Sequence, residues 1–220
     1  MTEIFKMKFP NCGIRALGIY PVVDRAYKLI ALYEAGVTTT QLRVKDLAGD
    51  ALEQEISKAI DISSEYNSRL FINDFWKLAI KYKAYGVHLG QEDIVDADIE
   101  TIYSAGLRLG ISTHTPDELR IAMSFEPSYV AIGPIYETNS KQMVYDPVGL
   151  EKLKKWSKDV SYSIVAIGGI NLTNIEDVVK TGLANGVAMI QGVLDDDGEV
   201  SRFKTVMLVD RFNRVWNENN

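Results

Sequence analysis

Cysteine is nearly missing from this 220-residue chain, where Cys12 stands alone. One thiol cannot close an internal disulfide, so the fold must rest on packing, and the composition suits a reducing compartment. Histidine is almost as scarce, with His88 and His114 the only two. Basic residues are not in excess either: 24 Lys and Arg against 30 Asp and Glu give a net charge of -6. That balance argues against a general attraction to nucleic acid or anionic lipid, so an anionic ligand would have to be held by a local cluster. No apolar run is long enough to cross a membrane, and MTEIFKMKFP lacks the apolar core of a signal peptide. The cytoplasm is the expected compartment.

What the chain does have is 46% hydrophobic and 25% charged residues without a compositional break. One domain over residues 1–220 is therefore expected, with a short N-terminal lead over 1–15. Apolar, β-branched runs recur: LGIYPVV from Leu17, TTTQLRV from Thr38, RLFI from Arg69, GVHL from Gly86, LRLGIS from Leu107, YVAIGPI from Tyr129, YSIVAIGG from Tyr162 and GVAMI from Gly186. Between them lie segments with helical spacing, such as Leu52, Ile56, Ala59, Ile60 and Ser63. Strands that alternate with helices imply parallel pairing through right-handed crossovers.

An echo at EAGVTTTQL, KAYGVHLG, SAGLRLGIS and LANGVAMIQG repeats one unit, a helix closed by glycine and followed by a strand. Eight such units predict an α/β fold, a single-domain (β/α)8 TIM barrel, with a last helix over Val200–Trp216. An open doubly wound sheet is the alternative.

In either architecture the carboxyl ends of the strands form one face, which carries ligand sites. FIN and GVHLG end in Asp74 and Asp93, which would share that rim. Two carboxylates suit a hard divalent cation such as Mg2+, whose shell is commonly completed by substrate phosphates and water. Asp74 could instead cap a helix starting at Phe75. Gln41, Arg43 and Lys45 alternate along TTTQLRVKD and so face one side of their strand. They suit a phosphate clamp, or else salt bridges inside the barrel.

After YVAIGPI, the polar run Thr138, Asn139, Ser140 and Lys141 is either a solvated loop or a ligand loop. The seventh strand ends in IGGIN, where Gly168 and Gly169 would let backbone approach a ligand and open a helix, with Asn171 available as its cap. His88 alternates with core residues and reads as a packed, hydrogen-bonded side chain. His114 is either a general base or part of a turn.

Together QLRVKD, FIND, GVHLGQED, LGISTH, the GPIY-x-T-x-S-K loop and AIGGI make the chain resemble the thiamine-phosphate synthase family. The resemblance implies a (β/α)8 barrel that joins a hydroxymethylpyrimidine diphosphate to a thiazole phosphate with release of pyrophosphate and with Mg2+ as cofactor. It implies that Gln41, Arg43, Lys45, Asn73, Ser112 and Lys141 bind the pyrimidine diphosphate. Lys141, Arg43, Lys45 and Ser112 would serve catalysis, and Asp74 and Asp93 would hold the metal. Thr138, Asn139, Ser140, Gly169, Ile190 and Gln191 would hold the thiazole phosphate.

The implied partners are small molecules, not nucleic acid or membrane, and a homo-oligomer is left open. Gln191-Gly192-Val193 departs from the family's usual small Ser-Ala-Ile run. A histidine-dependent tautomerase branch of the same barrel is disfavoured, since the acidic and basic positions are all present. A precursor sensor without turnover is favoured only by Gln191.

Overall fold

The computed structural model describes residues 7–13, 16–138 and 146–219. Its first half runs β1 (Gly18–Val23), α1 (Lys28–Glu34), β2 (Thr39–Leu42), α2 (Gly49–Glu65), β3 (Arg69–Asn73), α3 (Trp76–Lys81), β4 (Gly86–Leu89), α4 (Asp93–Asp96) and α5 (Ile99–Ser104). The second half runs β5 (Arg108–Thr113), α6 (Pro116–Ser124), β6 (Tyr129–Ile132), α7 (Gly149–Trp156), β7 (Ser163–Ile167), α8 (Ile175–Lys180), β8 (Gly186–Met189) and α9 (Arg202–Asn219). All the neighbouring pairs are parallel, and β1 pairs with both β2 and β8, which closes the barrel. An open sheet is thereby excluded.

Helices cover the outside of the strands, so β2, β4, β6 and β8 are buried along their whole length. The stripe of α2 that faces them is Leu52, Ile56, Ala59, Ile62 and Ser63. Ile62 thus takes the inward place expected of Ile60, which is only half-buried. Ser63 is tolerated there because its hydroxyl bonds the Ala59 carbonyl at 2.8 Å and the Tyr33 hydroxyl at 2.7 Å. The last helix starts and ends slightly later than the sequence suggests, at Arg202 and Asn219.

Inside the barrel is a separate apolar cluster, with Leu17, Tyr20, Phe71, Tyr129, Ala131, Val165 and Ala188. Phe71 and Tyr129 meet edge to face at 5.1 Å, a geometry worth about 0.5–1.5 kcal/mol beyond area burial. The stretch 7–13 lies across the amino-terminal end of the barrel. Cys12 is buried there, and its carbonyl accepts from Arg69 at 3.1 Å and from the Tyr85 hydroxyl at 3.2 Å. Burial pushes its thiol up to about 11, which makes it a packing group and a poor nucleophile.

The repeated glycines divide into two kinds. Gly36 and Gly106 take the left-handed backbone expected at a helix end, with φ of 92 and 72 degrees. Gly86 and Gly186 open their strands and serve space instead: a Cβ would fall 2.5 Å from the Phe71 ring and 2.8 Å from Leu17. Among the described residues no helix is long and apolar enough to cross a membrane.

Candidate active site

A cleft of about 740 Å³ opens at the carboxyl ends of the strands, where (β/α)8 barrels carry their sites. From β2 and the turn after it come Gln41, Arg43 and Lys45, alternate residues on the cleft side. Arg43 still donates its backbone N–H to the Val23 carbonyl at 2.8 Å, so the ladder extends past the strand and fixes its direction. β3 contributes Asn73 and Asp74. Asn73 is buried, and its Nδ2 has no hydrogen-bond partner among the described residues. Such an orphaned donor costs stability unless a ligand satisfies it.

Asp74 is not the cap of α3. Its φ is 62 degrees, the capping position falls on Phe75, and no side chain caps the helix. The left-handed turn lets Asp74 N–H reach the His88 carbonyl at 3.0 Å. It also sets the carboxylate 2.5 Å from Lys45 Nζ. Asp93 does not end β4, which stops at Leu89, but opens α4, and from there it faces the same point, its Oδ2 accepting from Gly90 N–H at 3.2 Å. Burial first, and then the Asp74 carboxylate, hold the Asp93 carboxyl above its ordinary range. Two carboxylates against one lysine leave excess negative charge, and oxygen donors on a rim suit a hard divalent cation.

Ser112, from β5, shares the cleft and is held twice. His88 Nε2 lies 2.7 Å from its hydroxyl, and Gln91 Nε2 donates to its carbonyl at 2.6 Å. His114 also lines the cleft, with Nδ1 3.0 Å from a Glu118 oxygen that accepts from the His114 backbone N–H at 2.6 Å as well.

On the far side are Thr138, Gly168, Gly169, Ile190 and Gln191. A Cβ on Gly169 would fall 2.5 Å from the Glu137 carbonyl, so glycine allows the β6 and β7 loops to touch. Tyr136 N–H continues that contact to the Gly168 carbonyl at 3.0 Å. The glycine pair does not open a helix directly. Asn171 closes a turn by accepting from Thr173 N–H at 2.8 Å, and α8 begins only at Ile175, with Asn174 at its capping position. Gln191 is exposed at the start of a 3-10 turn over Gln191–Val193. Asn139, Ser140 and Lys141 lie outside the described residues.

With this geometry in place, residues 19–193 match the thiamine monophosphate synthase family. The chain belongs to that family. A thiamine-phosphate synthase of Photorhabdus laumondii is 52% identical over 178 residues, covering 80% of this chain and 82% of its own length. That of Escherichia coli O6:H1 is 45% identical over 191 residues, covering 86% and 90%. Among solved structures, thiamine phosphate pyrophosphorylase from Pyrococcus furiosus superposes with a TM-score of 0.78 at 28% identity, covering 90% of this chain and 96% of its own.

Three residues escaped the sequence reading. Gln91 sits inside the quoted GVHLGQED, and its place two residues before Asp93, at the end of a strand, was a usable signal. Tyr20 and Tyr129 read as ordinary strand aromatics, and nothing local marks their hydroxyls.

Proposed function

We propose that this cleft joins 4-amino-2-methyl-5-(diphosphooxymethyl)pyrimidine to a thiazole phosphate, giving thiamine phosphate and pyrophosphate. The observation that carries the reading is the convergence of an acidic pair, a basic pair and a glycine-lined loop contact on one rim.

The methylene carbon–oxygen bond breaks and its electron pair leaves with pyrophosphate, while the amino group of the ring feeds density into the methylene carbon. The thiazole nitrogen then forms the new carbon–nitrogen bond with its lone pair. That nitrogen has no proton to lose, so the step needs no general base, and the engagement of both histidines by other side chains is no obstacle.

What the site must supply is leaving-group stabilisation and alignment of two substrates. Arg43 offers a forked donor and Lys45 a point charge to the diphosphate, with Lys141 as a third cation. Ser112 and Asn73 Nδ2, which has no partner among the described residues, add neutral donors, and Gln41 addresses the pyrimidine. Asp74 and Asp93 would hold Mg2+, which when bound neutralises charge on the diphosphate. Thr138, Asn139, Ser140, Gly169, Ile190 and Gln191 take the thiazole phosphate.

The test is to mix both substrates with the protein and Mg2+ and to assay pyrophosphate and thiamine phosphate. Stoichiometric release of both is expected. Binding of both substrates without either product would overturn the reading in favour of a sensor.

A further inference from the structure

Ser112 is the end of a line of side chains that crosses the barrel interior. Burial raises the pKa of the Tyr20 hydroxyl on β1, and the Gln41 side chain on β2 acts on it in the opposite sense. The Tyr20 hydroxyl lies 2.9 Å from that of Tyr129 on β6, and Tyr129 lies 2.7 Å from His88 Nδ1 on β4. His88 Nε2 then meets Ser112 Oγ on β5 at 2.7 Å. Both tyrosines are fully buried, whereas Gln41 and Ser112 line the cleft.

Gly110 opens the path. It pairs with His88 on one side and Tyr129 on the other, and a Cβ there would fall 2.1 Å from the Tyr129 ring and 2.4 Å from its oxygen. The absent side chain is the gap through which Tyr129 passes β5 to reach His88.

Each hydroxyl has one proton to donate, and a buried tyrosine O–H left without an acceptor is costly, so with a neutral imidazole the line runs in one of two directions. If Gln41 donates to Tyr20, then Tyr20 donates to Tyr129, Tyr129 to His88 Nδ1, and His88 Nε2–H to Ser112. Ser112 is then left with its own proton to give, and Gln41 with a carbonyl oxygen. In the reverse direction Ser112 spends its proton on His88 and turns lone pairs toward the cleft. Only the first direction suits a ligand that is anionic at one end and carries an amino group at the other.

We infer that Tyr20, Tyr129 and His88 are positioning residues that form a one-way relay, which holds Ser112 as a hydrogen-bond donor toward the diphosphate. The inference rests on the coupling reaction proposed above, since the diphosphate selects the direction. Gln91 already holds the Ser112 carbonyl, so the relay removes the remaining freedom, rotation of the hydroxyl.

Imidazole nitrogen NMR on the wild-type protein tests the direction without a variant. With only two histidines in the chain, a His114→Asn sample assigns the signals. A proton on His88 Nε2 and none on Nδ1 is expected; a proton on Nδ1 alone would overturn the relay.

Kinetics test its role. Tyr129→Phe should lower kcat about tenfold, the rate equivalent of one hydrogen bond, with KM for the pyrimidine diphosphate within about threefold. Placed on Ser112→Ala, the same substitution should change kcat by less than about twofold. A full multiplicative loss on that background would show a structural effect and overturn the positioning role. If the wild type released no pyrophosphate, the coupling reaction would fail first, and the imidazole spectrum would still decide the relay.

Discussion

Lys45 Nζ and Asp74 Oδ2 lie 2.5 Å apart, joining the turns after β2 and β3, with the lysine half exposed and the aspartate nearly buried. The pair is asymmetric in freedom. Asp74 is pinned by its backbone bond to His88, while Lys45 has a long exposed stem that can swing to a diphosphate oxygen. Through this pair the lysine partly neutralises the carboxylate that would hold the metal.

Asp74 provides a test that separates backbone strain from chemistry. Its left-handed conformation costs less for glycine than for any residue with a Cβ. Asp74→Gly should melt at or above the wild type, and Asp74→Ala about 1 kcal/mol below Asp74→Gly. Both should lose turnover sharply at saturating Mg2+. Thermal melts and a pyrophosphate assay check this, and an active Asp74→Ala would end the metal assignment.

Asp93 predicts a pH dependence. Its carboxyl is held above the ordinary range, by burial and then by Asp74, so the folded state binds the proton more tightly than the unfolded chain. That contribution favours the fold below the unfolded value, about 3.9, and is lost as pH rises through the folded value. In chelator, Asp93→Asn should therefore melt higher than the wild type at neutral pH, with the gap closing toward about pH 4. Added Mg2+ should raise the wild-type melting temperature and leave the variant's unchanged. Melts across pH with and without metal decide it.

Asn73 carries a buried Nδ2 with nothing to bond among the described residues. Removing it should not cost the ligand-free fold: Asn73→Ala is expected to melt within about 1 kcal/mol of the wild type or higher. Affinity for the pyrimidine diphosphate should fall about tenfold, as for one lost hydrogen bond. Calorimetric titration supplies the affinity, and unchanged binding would place the donor outside the ligand's reach.

Gln191 stands where the resemblance led to the expectation of a small residue, and its exposure bears on what the larger side chain does. An exposed amide can turn aside and leave the phosphate to backbone N–H groups. Gln191→Ser is expected to change KM for the thiazole phosphate by less than about threefold. Restoration of coupling by this substitution in an otherwise inactive wild type would instead make Gln191 a block.

Much of the fold was legible because each αβ unit declares itself within about 25 residues, by hydrophobic period and by the glycine between helix and strand. Eight repetitions with parallel crossovers leave a barrel as the economical closure. Most rim positions were legible for a related reason: Gln41, Arg43 and Lys45 obey the two-residue period of a strand, and Asp74 directly follows β3, whereas Asp93, expected at a strand end, opens α4 four residues beyond β4. Local period therefore settled the class of the fold and the face on which the chemistry sits.

Tertiary structure decided the rest. In sequence Asp74 is either a rim carboxylate or a helix cap, and the left-handed turn that aims it at Lys45 rules out the cap. Gly86 and Gly110 read as backbone punctuation or as nothing, yet each is required because an aromatic ring from another strand occupies the space of its side chain. Tyr20 and Tyr129 stand 109 residues apart and become one hydrogen-bonded line only when β1 and β6 face each other across the barrel. Periodicity records which face a residue turns to. It carries no information about the distant partner waiting on that face, and it is that partner that makes a core tyrosine part of the site.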